Sequence, residues 1–360
     1  MRAKTAFANT PRSAVLALSL AAGEALIGNA AYADQVQLSE TGSTLLLPLF
    51  AQWAADYQKA HPDLQITTQG TGSGAGISQA VSGAVQIGAS DAYMSDAQMK
   101  SSPSVRNIPL AVSSQMVNYN VPGLNGQHLK FSGPLLAAIY TGELKFWDDP
   151  LIAKLNPGVT LPHKEIVPVR RADGSGDTFI FTQYLSFSTP EWSKSAGYGL
   201  TVNWPAVQGI VGATGNAGMV TAAKSTPYSI AYIGISFKSA ADAAGLGEAM
   251  LQNKDGKFIL PDATTVGAAV AEVAPETPPD ERISLIFAPG EQSYPIINYE
   301  YAIVKTEQPS PAIAKAVKDF LGWSIDPKGG NAPQYMQAVG FVALPGTIVT
   351  LSNYQINLIH

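Results

Sequence analysis

Apolar residues along this chain keep two rhythms, one of three to four residues and one of two. Leu46, Leu49, Phe50, Trp53, Ala54 and Tyr57 share one face of a helix, and His61-Pro62 ends the run. Leu64-Gln65-Ile66-Thr67-Thr68 alternates and is β-branched, which predicts a strand. Ahead of the helix, Val36 to Leu38 predicts a short strand and Ser39 to Thr44 a polar turn. Behind it come a loop from Gly70 to Gly76, a helical stretch through Ala80 and Val81, and a short strand, Val85 to Gly88, that ends at Ala89-Ser90-Asp91. The grammar then repeats. Leu135 to Tyr140 is helical, Ile166 to Val169 a short edge-like strand, Thr178 to Phe187 an aromatic-rich helix, and Ala213 to Gly218 a Gly-rich helix start. Ile230 to Gly234 reads as a strand, Pro275 to Pro279 as a surface loop, Ile296 to Val304 as a long strand, and Pro311 to Trp323 as an amphipathic helix with its proline near the start. Strands alternating with helices predict an α/β fold with a largely parallel sheet. No repeat of solenoid period is present.

Composition sharpens this picture. At roughly 100–200 residues per domain, 360 residues predict two domains, and 46% hydrophobic against 14% charged residues exclude a disordered chain. The chain has no cysteine, which excludes disulfides, thiolate metal sites, a Cys nucleophile and a lipid-modified N-terminal Cys. A net charge of −5 argues against a general nucleic-acid or anionic-membrane binder, but it leaves a local anion site open. Arg2, Lys4 and Arg12 precede an uncharged run from Ser13 to Gly23, and Ala31-Tyr32-Ala33 follows, the order of a secretory signal peptide. Glu24 beside the apolar run is unusual for one. The run is too short for a membrane span, which needs about 20 apolar residues. Removing residues 1–33 leaves 19 basic against 26 acidic residues, a net −7. The expected mature protein is soluble, exported, acidic and without a lipid anchor.

Three loops share one design: each follows a strand, is rich in Gly, Ser or Thr, and opens a helix. Free amides and the positive end of the helix dipole point out of such a loop, which suits an anion. They are Gly42-Ser43-Thr44-Leu45, Gly70 to Gly76, and Arg170-Arg171-Ala172-Asp173-Gly174-Ser175-Gly176-Asp177, where a guanidinium joins the backbone donors. Singly, a helix cap, a flexible turn and a solvated Arg-Asp pair explain them; together they predict an oxyanion site. The second loop also matches the looser dinucleotide fingerprint, with Gly70, Gly72, Ala75 and then Asp91, but export argues against a nicotinamide cofactor. His61, His128, His163 and His360 have no metal-ligand spacing. Gly76-Ile77-Ser78-Gln79-Ala80 grazes the nucleophile-elbow pattern without a triad partner, and no Walker A sequence occurs.

At these loops the chain resembles the PstS-type periplasmic phosphate-binding proteins of phosphate ABC importers. The stretches that carry the resemblance are Thr41-Gly42-Ser43-Thr44, Phe50-Ala51-Gln52-Trp53-Ala54 with Tyr57-Gln58-Lys59, Gln69-Gly70 with Gly72-Ser73, and Ile87-Gly88-Ala89-Ser90-Asp91. Phe146-Trp147-Asp148-Asp149, Ala153 to Gly158, Arg170 to Gly176 and Tyr294-Pro295-Ile296 continue it in family order. The resemblance implies a two-lobed, type II-like periplasmic binding protein with its ligand cleft between lobes. Lobe I would be 34–116 plus 297–360 and lobe II 117–296, hinged near Met116 to Val121 and Ile297 to Tyr301. It also implies no catalysis, no cofactor, no metal, a monomer, and an inner-membrane permease as partner. By position, Thr44, Leu45, Ser73, Ser175 and Gly176 would donate to phosphate, Arg171 would be the charged donor held by Asp173, and Asp91 would accept a hydrogen bond from the ligand. The family usually has Phe at Leu45.

An ionised Asp only accepts hydrogen bonds, so Asp91 helps an anion only if that anion carries a proton. Phosphate near neutral pH keeps one and sulfate has none, so Asp91 would select phosphate and reject sulfate. At Asp177 the family commonly has Thr. Asp177 would either keep the backbone donor and turn its carboxylate toward an Arg, or serve as a second proton acceptor; the first avoids a costly extra charge at the anion. The remaining alternatives are a receptor for arsenate, sulfate or molybdate, and a secreted phosphatase-like hydrolase.

Overall fold

The computed structural model describes residues 35–360; the expected signal segment at 1–33 lies outside the described residues. The chain begins with β1 (Val36–Gly42), α1 (Leu47–Ala60), β2 (Leu64–Gly70), α2 (Ser73–Ser82), β3 (Ile87–Ser90), α3 (Asp96–Ser101) and the long β4 (Val105–Asn120). It continues with β5 (Lys130–Phe131), α4 (Gly133–Thr141), α5 (Pro150–Leu155), β6 (Val167–Arg171), α6 (Gly176–Ser188), α7 (Pro190–Ser195), β7 (Val211–Ala213), α8 (Gly215–Ser225) and β8 (Ser229–Gly234). After α9 (Lys238–Ala243), β9 (Gly247–Glu248), β10 (Met250–Gln252), β11 (Phe258–Ile259) and α10 (Ala263–Val273) come β12 (Ile297–Lys305), α11 (Pro311–Ile325), α12 (Pro333–Val339) and α13 (Gly346–Asn357).

The main sheet runs β2-β1-β3-β12-β4-β8-β6-β7, with β9 beside β4. Its two wings are parallel, β2-β1-β3 on one side and β8-β6-β7 on the other. Its centre is antiparallel, because β12 returns from far along the chain to sit between β3 and β4. The largely parallel sheet expected from the alternation is therefore a mixed one. Residues 105–114 of β4 pair with β12 and residues 115–120 with β8, so one continuous strand serves both wings.

Each wing buries its own aromatic layer. In the first, Phe50, Trp53 and Tyr57 of α1 face Phe320 of α11, with ring centroids 6.1 Å apart for Phe50–Phe320 and 5.2 Å for Tyr57–Phe320. Burying a Phe fully stabilises by about 1.5–3 kcal/mol, and the Trp53 indole N–H finds the Gly330 carbonyl at 2.8 Å. In the second wing Phe181 of α6 stacks on Tyr232 of β8 at 4.4 Å.

Most predicted elements are present, with four corrections. The first strand runs on through Ser39 to Gly42, because β2 and β3 flank that end and satisfy a backbone whose side chains look polar. The loop predicted from Gly70 to Gly76 shrinks to Thr71-Gly72, since β2 includes Gly70 and α2 begins at Ser73. The strand read as edge-like lies between β8 and β7; Pro168 is tolerated because β7 pairs only from Val169 onward. The helix expected from Thr178 starts at Gly176, capped by Ser175. Ser78 sits exposed inside α2, not on a strand-to-helix turn, so the elbow pattern is accidental.

Candidate functional site

The carboxyl ends of β1, β2, β3, β6, β7 and β8 converge on one buried place, the usual location of ligands in α/β sheets. From the first wing, the Ser43 hydroxyl donates to Oδ1 of Asp91, and the Ser73 hydroxyl donates to Oδ2 at 3.2 Å. Asp91, Ser43 and Ser73 are all buried. The Leu45 amide donates to Ser43 Oγ at 3.1 Å, and the Leu45 side chain packs against Gly234 at the end of β8.

From the second wing comes Arg171. Its Nε donates to Asp173 Oδ1 at 2.7 Å, its Nη2 to Asp173 Oδ2, and its Nη1 to Asp177 Oδ2 at 2.6 Å. Asp173 is thus the bidentate partner that fixes the guanidinium plane. Ser175 caps α6 through the Thr178 amide at 3.2 Å. The amides of Gly176 and Asp177 begin the helix and have no acceptor within it. Gly176 lies so close to the first wing that a Cβ there would stand 2.3 Å from Asp91 Oδ2 and 2.5 Å from Ser73 Oγ.

The wings are tied together around this place. Thr44 Oγ1 accepts from the Asn216 amide at 3.2 Å and from Asn216 Nδ2 at 3.0 Å. The Gly74 amide donates to the Gly174 carbonyl at 3.0 Å. Gly72 has φ +90°, and a Cβ there would lie 2.7 Å from that same carbonyl, so only glycine fits. All of Thr44, Leu45, Ser73, Asp91, Arg171, Asp173, Ser175, Gly176 and Asp177 therefore lie in one cluster.

A profile of the PBP superfamily domain matches residues 28–328. The phosphate-binding protein PstS of Methanocaldococcus jannaschii is 37% identical over 338 residues, covering 89% of this chain and 85% of that protein. The PstS of Pasteurella multocida is 34% identical over 288 residues, covering 80% and 81%. This chain belongs to the PstS family. The same fold is seen in a high affinity periplasmic phosphate-binding protein, PfluDING, solved with phosphate; it aligns with a TM-score of 0.69 at 20% identity, covering 88% of this chain and 92% of that one. The architecture is that of the two-lobed periplasmic binding proteins.

In this PstS-family chain the Asp177 carboxylate faces Arg171 and is closed by neutral donors as well. Asn216 Nδ2 donates to its Oδ2 at 2.7 Å and Gln115 Nε2 to its Oδ1 at 3.1 Å. Burial lifts Asp177 above the ordinary carboxylate range, against the Arg171 charge and the Gln115 and Asn216 hydrogen bonds. Burial opposes the Arg171 charge, but the Asp173 hydrogen bonds and the Asp177 and Asp173 charges hold its pKa above its usual value. Burial pushes Asp91 up to about 6 and the Asp177 charge adds to this, while hydrogen bonds with Glu300 and Ser43 and the Arg171 charge restrain it.

Sequence reasoning missed Ser43, Gln115, Asn216 and Glu300. Ser43 was inside a loop already singled out, but its role appears only when β3 lays Asp91 beside it. Asn216 was inside the flagged Gly-rich helix start, and it reaches Thr44 across 172 residues of sequence. Glu300 did leave a signal, as the one charged residue in the apolar run from Ile296 to Val304.

Proposed function

We propose that this protein captures inorganic phosphate at the cluster just described and delivers it to an ABC permease of the inner membrane. The observation that carries the reading is Asp91. A buried carboxylate faces the start of α6 a short step from a buried Arg171. That combination suits an anion that also has a proton to give, as phosphate does near neutral pH and sulfate does not. Thr44 and Ser73 supply hydroxyls, Leu45, Ser175 and Gly176 supply donors from loop and helix start, and Asp177 contributes its amide while its carboxylate stays on Arg171. The site relies on backbone dipoles, hydroxyls and one guanidinium, so it does not need a basic protein.

The cleft would open between lobe I, 34–116 plus 297–360, and lobe II, 117–296, by bending of the strands that cross between them. Export would remove residues 1–33 and leave a monomer free in the periplasm, with no catalytic step of its own. Calorimetric titration of residues 34–360, stripped of endogenous ligand, with phosphate, arsenate and sulfate at two pH values tests this. Phosphate and arsenate, which protonate alike, should bind and sulfate should not. No heat with phosphate, or sulfate binding as tight as phosphate, overturns the reading. Turnover of p-nitrophenyl phosphate would overturn its non-catalytic part.

A further inference from the structure

Glu300 sits in the middle of β12 and is wholly buried. Its Oε1 accepts from Ser113 Oγ of β4 at 2.5 Å and from Asn298 Nδ2 at 3.1 Å. Its Oε2 is buried and receives no donor. Asp91 stands beside it: β12 pairs with β3 at Tyr301 and Ser90, and Asn298 Nδ2 donates both to Glu300 Oε1 and to the Asp91 carbonyl at 3.2 Å. Two ionised carboxylates side by side repel and can only accept, and a buried oxygen that receives no donor is costly to leave charged. One proton between the two removes both costs. Both Asp91 oxygens already accept, from Ser43 and from Ser73. Both donors near Glu300 go to Oε1, as they would to the carbonyl of a neutral acid, and Oε2 is left as the hydroxyl.

We propose that Glu300 is a neutral acid donating its proton to Asp91, a positioning residue that keeps Asp91 ionised and so sets the preference for oxyanions bearing a proton of their own. This rests on the phosphate reading above and adds the source of its selectivity. The charged groups around Asp91 are Glu300 from β12, Arg171 from β6 and Asp177 from α6; around Glu300 the other polar partners, Ser113 and Asn298, are neutral. Burial, then the Asp91 charge, pushes Glu300 well above its ordinary range, whereas Asp91 rises only to about 6. At neutral pH the pair then holds one proton, on Glu300, and one negative charge, on Asp91. Without that donor Asp91 would more readily take up a proton itself, and its hydroxyl would then donate to unprotonated anions such as sulfate.

Infrared difference spectroscopy of the phosphate-free protein tests the proton directly. At pH 7 the wild-type-minus-Glu300→Gln difference should show the carbonyl stretch of a protonated carboxyl, shifting on deuteration, in excess of the band that protonated Glu281 gives in both proteins. Calorimetry reads the consequence. Gln still offers an N–H to Asp91, so Glu300→Gln should bind phosphate within about threefold of wild type. Glu300→Leu has no donor, and its phosphate affinity should fall about 10- to 150-fold, the worth of a hydrogen bond to a charged group. Its sulfate-to-phosphate ratio should rise, with binding at lower pH losing most. No protonated-carboxyl band in that difference at pH 7 overturns the proposal even if the Leu variant fails to fold. A folded Glu300→Leu variant with the wild-type anion ratio and pH profile overturns it too. If the band behaves as expected but wild type binds no phosphate, the proton pair stands and the phosphate reading falls.

Discussion

Replacing Gly176 with alanine should act as a wedge between the two wings. The added Cβ would stand 2.3 Å from Asp91 Oδ2, 2.5 Å from Asp91 Cβ and 2.5 Å from Ser73 Oγ, against the 3.4–4 Å of ordinary contact. The obstacles are held by the start of α2 and the loop after β3, and Asp91 Cβ is not the free end of a flexible side chain. Gap and helix must therefore separate by about 1 Å, a strain on the order of 1–3 kcal/mol for overpacking of this kind. The helix itself does not object, since alanine is better than glycine in a helix by up to about 1 kcal/mol. The cost should fall on bringing the wings together around an anion, and phosphate affinity should drop about 5- to 150-fold. Gly74→Ala is the graded control. Its Cβ would meet Gly174 Cα at 3.3 Å, a contact relieved by a few tenths of an ångström, and its affinity should change by no more than about threefold. Calorimetric titration with phosphate, paired with thermal melts of the ligand-free variants, measures both. The reasoning is refuted if Gly176→Ala binds like wild type. It also fails if the ligand-free protein loses stability by the whole amount, because the strain would then belong to the fold and not to closure.

Three further outcomes follow from other buried carboxyls. Asp91→Asn should bind sulfate better relative to phosphate, since the amide can donate where the carboxylate only accepts; an unchanged ratio by calorimetry would remove Asp91 from the selection. Asp177→Asn takes one of two carboxylates from buried Arg171, which should lower the ligand-free melting midpoint by roughly 5–15 °C. Phosphate should then raise that midpoint by more than it does in wild type, and an equal rise would count against the pairing. Glu281 is lifted by burial from 4.5 to about 8. Between those values the native state keeps a proton that the unfolded chain has released, so stability should fall as pH rises through this window and level off above it. Glu281→Gln, which can still accept from Ser352, should flatten that fall in a series of melts; the same slope in both proteins would contradict the assignment.

The parts of the site written in local sequence were legible and the parts made by topology were not. Gly42 to Leu45, Gly70 to Ser73 and Arg171 to Asp177 announce themselves, because a Gly-rich turn into a helix is a short-range pattern. Ser175 as a cap and Asp173 as the Arg171 partner are likewise near neighbours. The mixed centre of the sheet left no such trace, since β4 mixes apolar and polar residues in a way that says nothing of which strand lies beside it. Gln115 and Asn216 enter the site only because β4 and α8 are carried to it from elsewhere. The polar stretch Ser39-Glu40-Thr41 misled because strand propensity is judged on side chains, while the pairing of β1 with β2 and β3 is made by the backbone.

The place of β12 also has a consequence for how the chain comes to its shape. β3 and β4 follow one another in sequence, yet they are kept apart by a strand that begins only at Ile297. Until that strand exists, the first wing has no edge to join and the near end of β4 has no neighbour. A chain made from its N-terminus onward must therefore have passed Ile297 before its central seam can close. Such distant pairing folds slowly, so this seam stays open after both of the strands it joins have been made.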